Sequence, residues 1–294
     1  MANYILRFKK SINKDKTETM NKLDAYKMDG LGNDFIIFDK RKKSISLTKD
    51  QIIKISDRSN IGCDQVIFID NDKNSNASLT FYNSDGGEIA ACGNGSRCTA
   101  YLLMKENNNK KISLRTKVGI LQAELDDKNL VRINMGQPNF KWEKIPLSKE
   151  MDNKNLKIKI NSTDGKEIEG GFSLSIGNPH IVFFVEDFNK FNLKEIGPKI
   201  ENHNYFPERC NVTLASIKNK KHVKVKVWER GAGLTKACGT AACATAVSGA
   251  VLKLNERYVD IEFQEGLLNI DWNADNNIYM TGKISEVKKI TVSI

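Results

Sequence analysis

The chain has 294 residues, of which 40% are hydrophobic, a length and composition that suit two packed domains better than one. No apolar run approaches the roughly 20 residues that cross a bilayer, which argues against a membrane protein. The net charge is +10, but the lysines are dispersed, and we see no basic helix or arginine-rich segment interleaved with aromatics. A solvated lysine-rich surface is favoured over nucleic-acid binding, and its positive field would attract anionic substrates.

The chain begins with a charged segment, residues 1–24, that we predict to be an extension ahead of the folded part. Its apolar patch, Tyr4-Ile5-Leu6, is shorter than the hydrophobic region of a secretory signal. The six cysteines are too few to staple a small secreted domain, and a chain this long needs no staples. We therefore expect packing thiols and reactive thiols in a reducing compartment, the cytoplasm.

The first half opens with a strand-like run, Leu23–Met28, and a further strand is predicted over Leu79–Tyr82. A glycine-rich loop, Ser84–Gly87, then leads to Cys92, which is followed by a helical pattern over Cys98–Met104. Two more strands are predicted after this helix: Ile112–Thr116 and Leu130–Asn134.

The second half shows the same series. The strand Val223–Val227 leads into the glycine-rich loop Arg230–Gly233 and then to Cys238. The following helix, Ala241–Leu254, carries small residues on every side, which predicts burial all round. Two further strands are predicted in this half: Leu156–Ile160 and Val259–Phe263.

Four segments of the first half recur in order in the second half, displaced by 145 to 147 positions. The pairs are Gly32–Phe38 with Gly177–Phe183, Asp64–Phe68 with Cys210–Leu214, Ala91–Gly95 with Ala237–Ala241, and Gly119–Leu121 with Gly266–Leu268. One match would mean nothing, but four at nearly one offset indicate two similar halves, residues 25–136 and 137–282, with 283–294 packing back on the first. We predict an α+β fold with pseudo-two-fold symmetry, each half a mostly antiparallel sheet or barrel around one central helix.

In this arrangement Cys92 and Cys238 lie at helix N-termini, where the macrodipole and free N–H groups favour thiolates and bind anions. A pseudo-two-fold axis would aim both helices at one carboxylate and place the thiols on opposite faces of its neighbouring carbon. That geometry suits inversion of a stereocentre, because one group removes the α-proton while another delivers a proton to the other face.

Cysteines also serve purely structural roles in proteins. They are often merely buried, and this is our interpretation of four of them: Cys63, Cys98, Cys210 and Cys243. The spacings from Cys92 to Cys98 and from Cys238 to Cys243 do not match structural zinc sites. On a helix they correspond to turns of about 240° and 140°, so neither pair converges on one ion, and we expect no metal. A disulfide between Cys92 and Cys238 would abolish the proposed chemistry.

These segments resemble the diaminopimelate epimerase family over about residues 25–294. The resemblance is carried by five stretches: Gly32–Phe35, Ala91–Arg97, Gly177–His180, Trp228–Thr235 and Ala237–Thr240. It implies a fold and a chemistry that need no pyridoxal phosphate or other cofactor, and interconversion of LL- and meso-diaminopimelate in lysine and peptidoglycan-precursor synthesis. A small-molecule substrate is the expected partner, without nucleic acid or membrane, and a homodimer is a candidate assembly.

The resemblance also implies roles for individual residues. Cys92 and Cys238 would be the acid–base thiols, and the backbone N–H groups of Gly93, Asn94, Gly239 and Thr240 would hold the α-carboxylate. Glu229 would receive the α-ammonium. The rest of the substrate would be read by Asn33, Asn83, Asn178, Asn211 and Arg230, while Gln65 and the accessory His180 would lie near the thiols.

The chain departs from the family pattern in a few places: Cys63 and Cys210 beside the amides Gln65 and Asn211, and Ala241 where a glycine is expected. A proline-type racemase would share the cysteine pair but take a smaller substrate, and Glu229 with Arg230 argues for a longer, doubly zwitterionic one. A nucleic-acid-binding protein would explain the charge but not the repeated Cys-Gly. A pyridoxal phosphate enzyme would be recognised by its absorbance.

Overall fold

The computed structural model describes residues 22–128 and 130–294. Of the predicted extension, residues 1–24, the part up to residue 21 therefore lies outside the described residues. Its last three residues, 22–24, begin the first strand, which pairs with the C-terminal strand.

The described part of the first half holds strands β1 to β8 and helices α1 and α2. Their bounds are β1 Lys22–Gly30, β2 Asn33–Asp39, α1 Lys49–Ser56, β3 Gln65–Asp70, β4 Ala77–Asn83, β5 Glu88–Ile89, α2 Gly93–Glu106, β6 Lys111–Thr116, β7 Gly119–Leu125 and β8 Val131–Asn134.

The second half is entered through a small hairpin of β9 and β10 and then repeats the series. Its bounds are β9 Ile158–Asn161, β10 Glu167–Gly170, β11 Phe172–Ser175, β12 Pro179–Phe184, α3 Leu193–Glu201, β13 Asn211–Asn219, β14 His222–Glu229, β15 Gly233–Thr235, α4 Gly239–Val251, β16 Tyr258–Phe263, β17 Gly266–Trp272, β18 Ile278–Gly282 and β19 Lys288–Ser293.

Strand pairing repeats element for element. β2 and β3 pair in parallel, as do β12 and β13; β4 pairs in parallel with β6, and β14 with β16. The remaining pairs within each half are antiparallel. The predicted architecture, two similar and mostly antiparallel halves, is therefore confirmed.

The two halves are joined by strands that cross between them. β8 of the first half pairs antiparallel with β18 of the second, with Ile133 opposite Met280. After β18 the chain returns to the first half, where β19 pairs with β1. After β8 the chain passes to the second half, where Asn139 forms an antiparallel bridge with Ser175 at the end of β11.

Each half is wrapped around one helix. The central helix of the second half, α4, is buried at every position from Ala241 to Gly249, so the expectation from its small side chains is confirmed. Small side chains let the surrounding strands approach the helix backbone. At Gly249 the position of an added Cβ would coincide with the Asn255 side chain, so only glycine fits there.

Several predicted boundaries differ from those of the structure, and two of the differences have a local cause. The helix expected to reach Leu254 ends at Val251, because Lys253 takes a left-handed conformation with φ of 60°. The strand expected from Leu156 begins only at Ile158, because Lys157 has φ of 53°. Neither turn carries the glycine that usually marks such a conformation in a sequence.

The two outer helices, α1 and α3, were not predicted. They make the crossovers between the parallel pairs β2–β3 and β12–β13, and each covers a separate apolar cluster on the outside of its half. α1 begins with a capping box in which Thr48 and Gln51 exchange hydrogen bonds. No described helix has the length and apolar character needed to span a bilayer.

Candidate active site

Cys92 and Cys238 are the N-cap residues of α2 and α4, as the sequence predicted. Their backbones are nearly the same, with φ and ψ of −140° and 117° at Cys92 and −138° and 114° at Cys238. Both helices therefore begin with a thiol and a glycine in equivalent positions.

The N-termini of the two helices converge. A Cβ added to Gly93 would lie 2.9 Å from Met280 Cε, and one added to Gly239 would lie 2.9 Å from Met280 Sδ. Met280 is fully buried on β18, at the junction of the halves. One methionine side chain thus separates the first turns of both helices, and neither glycine could carry a side chain without displacing it.

The helix ends open into a cleft with a cavity of about 1690 Å³ between the halves. Small-molecule pockets usually measure about 300–1,000 Å³, so this cleft is open. Every predicted site residue but one lines it: Asn33, Gln65, Asn83, Cys92, Gly93, Asn94, Asn178, Asn211, Glu229, Arg230, Cys238, Gly239 and Thr240. His180 does not reach its surface.

The Cys92 thiol is partly exposed. Its Sγ accepts the Gly95 N–H at 3.4 Å, and the thiol lies 3.8 Å from Asn33 Oδ1, to which it donates. Burial raises the pKa of Cys92 to about 12; the Gly95 N–H opposes the rise and the Glu229 carboxylate adds to it. Without substrate, Cys92 is a neutral thiol at pH 7.

The Cys238 thiol is buried, with 6% exposure. Its Sγ lies 3.5 Å from Thr240 Oγ1. Burial first, and then the Glu229 charge, raise the pKa of Cys238 well above its usual value, while Thr240 acts in the opposite direction. The helix terminus alone therefore does not ionise either thiol in the open cleft.

Glu229 is the carboxylate whose charge acts on both thiols. It ends β14 and lines the cavity beside Thr235 and Cys238. Burial raises the pKa of Glu229, and those two side chains counteract the rise. A cation beside Glu229 would favour its carboxylate form and offset the negative charge that raises the pKa values of both thiols.

The side-chain amides are held in fixed orientations. Gln65 Nε2 donates to Asn83 Oδ1 at 3.1 Å, which leaves the buried Gln65 Oε1 without a partner among the described residues. Asn178 Nδ2 donates to Thr240 Oγ1 at 3.4 Å. The Asn211 amide donates to the carbonyl of Pro179 and accepts the Arg230 N–H, each at 3.0 Å.

His180 acts on Asn178 and is fully buried behind it. Its Nε2 lies 2.9 Å from Asn178 Oδ1. Burial first, and the charge of Arg230 second, lower the pKa of His180 to about 3, so the ring is neutral at pH 7. With the proton on Nε2, His180 donates to Asn178 and fixes which end of that amide faces Thr240.

Sequence reasoning missed Glu201, which holds the loop that carries Glu229 and Arg230. Its buried carboxylate accepts Trp228 Nε1 at 2.7 Å and the Gly231 N–H at 2.9 Å, on either side of that pair. Glu201 ends α3, 27 positions before Trp228, so no local pattern connects them.

A group of charges at the cavity rim was also missed. Arg58 pairs with Asp34 at 2.8 Å and with Asp64 at 2.6 Å, and Asp64 accepts Asn33 Nδ2 at 3.0 Å. Burial raises the pKa of Asp34, but the hydrogen bonds of Arg58 and Lys27 outweigh it and bring the value to about 2. This network orients Asn33 toward Cys92. Among the described residues, no three His, Cys, Asp or Glu side chains cluster as a metal site would require.

The chain resembles known proteins in sequence. The family model described as diaminopimelate epimerase matches residues 25–141 and 172–287. The unmatched stretch between these ranges contains the β9–β10 hairpin. A diaminopimelate epimerase of Pelagibacter ubique is 53% identical over 272 residues, covering 92% of this chain and 99% of that protein. One of a Caulobacter species is 41% identical over 270 residues, covering 88% and 93%.

Solved structures extend the likeness of the fold. A probable proline racemase of Agrobacterium radiobacter superposes with a TM-score of 0.67 at 11% identity, covering 92% of this chain and 93% of its own. A phenazine biosynthesis protein of the PhzF family from Bacillus anthracis gives 0.66 at 16%, covering 94% and 100%. At such identities the likeness shows a shared fold.

Proposed function

The chain belongs to the diaminopimelate epimerase family, and from that premise we propose how its residues invert an α-carbon of diaminopimelate. The reaction exchanges the LL and meso forms without pyridoxal phosphate, in lysine and peptidoglycan-precursor biosynthesis. The observation that carries the proposal is the pair of equivalent N-cap cysteines, Cys92 and Cys238, facing one cleft from opposite halves.

The substrate α-carboxylate would lie where the two helices converge. The free N–H groups of Gly93, Asn94, Gly239 and Thr240 begin α2 and α4 and line the cavity there. Helix N-termini bind anions, and N–H groups already in place stabilise the charge that spreads onto the carboxylate when the α-proton leaves.

The proton transfer uses both thiols. A thiolate on one side takes the α-proton and becomes a thiol, and the thiol on the other side gives its proton to the opposite face and becomes a thiolate. The next turnover in the reverse direction begins from the state that this leaves. Two groups are needed because one residue can hardly reach both faces of a carbon.

Entry of the substrate would also ionise the thiol that acts as base. The α-ammonium would be received by Glu229, whose negative charge raises the pKa values of Cys92 and Cys238 in the open cleft. Neutralising that charge and closing the cleft around a zwitterion would favour the thiolate, since the helix N–H groups then face it without competing water.

The distal end of the substrate would be read by Arg230 and the amides. Arg230 Nη1 donates to the carbonyl of Glu208 at 2.9 Å, and the rest of its guanidinium can meet a carboxylate at the cavity. The amides of Asn33, Asn83, Asn178 and Asn211 supply donors and acceptors along the same wall, with Gln65 beside Asn83.

We also propose that the enzyme works in the cytoplasm on a free small molecule. All six cysteines are free, as a reducing compartment would keep them. A homodimer is the assembly we propose, and light scattering behind a sizing column would decide it.

The test is direct assay of the purified chain. With LL-diaminopimelate in reducing buffer, we expect the meso isomer to form without added metal or pyridoxal phosphate, and proline to be left unchanged. Turnover of proline with none of diaminopimelate would contradict the proposed substrate. Activity that vanished with EDTA and returned only with zinc would contradict the cofactor-free mechanism.

A further inference from the structure

Arg97 is the largest fully buried side chain in the described part of the chain, with 0% exposure. It lies in α2, one turn beyond Asn94. Its Nη2 donates to Asn94 Oδ1 at 2.9 Å and its Nη1 to the carbonyl of Lys283 at 3.2 Å, while Nε has no partner among the described residues. No described Asp or Glu forms an ion pair with it.

A buried guanidinium without a carboxylate is costly, because the charge has left water and met no opposite charge. The ionisable neighbours of Arg97 are Cys92, which caps α2, Cys98 within α2, Cys243 of α4 and Asp29 of β1. The Asp29 carboxylate accepts the Gly32 N–H at 3.0 Å, and the three thiols are neutral because burial raises the pKa of each.

The Arg97 guanidinium lies close to the starts of both central helices, where an anion could balance its charge. Asn94 Oδ1, the acceptor of Arg97, lies 3.7 Å from where a Cβ of Gly239 would be, so the guanidinium sits one amide away from the start of α4. At Gly282 the place of a Cβ is taken by the Arg97 side chain, so the end of β18 leaves room for it. The charge thus lies directly beneath both converging helix N-termini.

The repeat shows that the charge belongs to one half alone. At the offset that pairs Cys92 with Cys238, the counterpart of Arg97 is Cys243, which is also fully buried. Arg97 and Cys243 are neighbours across the junction. Two arginines at these positions would repel each other, and Arg97 is the one buried Lys or Arg side chain among residues 22–128 and 130–294.

We propose that Arg97 is a positioning residue for the epimerase site: its buried charge attracts the substrate carboxylate and stabilises the Cys92 thiolate, and its guanidinium fixes the Asn94 side chain. This inference rests on the proposed function. The substrate carboxylate then supplies the counter-charge that the protein lacks, and the same fixed cation also favours the Cys92 thiolate.

The test separates charge from packing. Arg97→Met removes the charge and the hydrogen bonds at similar length, Arg97→Gln removes the charge but can still bond Asn94, and Arg97→Lys keeps the charge. Cys243→Ala is the matched control at the equivalent position of α4. The first readout is the pH dependence of Cys92 alkylation by iodoacetamide without substrate, followed by peptide mass spectrometry on protein shown to be folded by circular dichroism.

We expect alkylation of Cys92 at a fixed pH near neutrality to slow by at least about tenfold in Arg97→Met and Arg97→Gln, because the thiolate fraction falls tenfold for each unit by which the pKa rises. Arg97→Lys should react at nearly the parent rate, and Cys243→Ala should match the parent. With LL-diaminopimelate, KM should rise at least about tenfold in the neutral variants and recover in Arg97→Lys, because a carboxylate that loses its buried counter-charge loses that order of affinity.

A folded neutral variant with an unchanged alkylation rate of Cys92 and an unchanged KM would overturn the inference. So would an Arg97→Lys variant as impaired as Arg97→Met, since packing alone would then explain the residue. If Arg97→Met does not fold, the Gln and Lys pair makes the same comparison. Alkylation needs no turnover, so failure of the parent chain to act on diaminopimelate would be recognised separately.

Discussion

The two halves share their strand order and their N-cap cysteines, but the surroundings of the cysteines differ in charge. Cys92 is partly exposed, accepts an N–H of its own helix and has the Arg97 cation beneath it. Cys238 is buried beside the Glu229 carboxylate and the Thr240 hydroxyl. Duplication accounts for the opposed geometry, while divergence placed a cation behind one thiol and an anion beside the other. Two acid–base groups that must exchange roles therefore start from unlike environments.

The two sides of the cleft also differ in how closely the halves pack against each other. In the first half the turn at Gly32 packs against the β16–β17 hairpin, where an added Cβ would lie 2.7 Å from Glu265 Cγ. The equivalent turn at Gly177 faces open space, and so does Gly119 in the equivalent hairpin. The two halves therefore touch at the Gly32 turn, while the space around an added Cβ at Gly177 and Gly119 is open.

The largest loss of epimerisation rate is expected when either of the two thiols is removed. Cys92→Ala and Cys238→Ala should each slow epimerisation in both directions by at least about 10²–10⁴-fold, since a general acid–base group contributes that much and no other group reaches its face. The measurement is the initial rate from each isomer, with circular dichroism as the check on folding. A folded Cys238→Ala enzyme with near-parent turnover would show that the halves do not share the chemistry.

A smaller effect is expected where α3 supports the Glu229–Arg230 loop. Glu201→Leu removes the acceptor for Trp228 and Gly231, so we expect KM to rise roughly tenfold and the free energy of unfolding to fall by about 1–3 kcal/mol. The matched control is Ser56→Ala at the end of α1, where the one hydrogen bond of the Ser56 hydroxyl within the described chain comes from the Cys63 thiol at 3.5 Å. Equal kinetic effects at both positions would mean that the loop is not held by Glu201.

His180 and Phe35 occupy equivalent positions, and only the histidine titrates. Its folded pKa is lowered to about 3, so as pH falls below 6.5 the unfolded chain takes up a proton that the folded chain refuses. Stability is therefore lost with acid, by about 1.4 kcal/mol per pH unit over that window. Between pH 7 and pH 5, His180→Phe should lose about 2 kcal/mol less than the parent in urea unfolding, and equal losses would contradict the buried neutral ring.

The smallest effects are expected at the two cysteines inside the central helices. Cys98 and Cys243 are fully buried and lie away from the cavity surface. Replacing either with alanine should cost about 1 kcal/mol of stability through a small void and leave the epimerisation rate within about twofold. A variant that stays fully folded but loses turnover would place its thiol in the mechanism.

Sequence reasoning reached as far as local and repeated patterns extend. The duplicated Cys-Gly segments revealed both halves and the N-cap thiols, because helix starts are marked by neighbouring residues. The capping box of Thr48 and Gln51 could also have revealed α1. Glu201 and Arg97 act through contacts with residues 27 and 186 positions away, and such contacts leave no local pattern.

The proposed inversion requires two groups on opposite faces of the α-carbon. Its most direct test is the early reaction of LL-diaminopimelate in deuterated water, with the deuterium in each isomer measured separately. With two thiols, the meso product should carry deuterium at the inverted carbon from the start, while the remaining LL substrate stays unlabelled at first. Deuterium appearing in LL substrate as fast as meso product forms would mean that one solvent-exchanging group serves both faces, which would contradict inversion by Cys92 and Cys238 together.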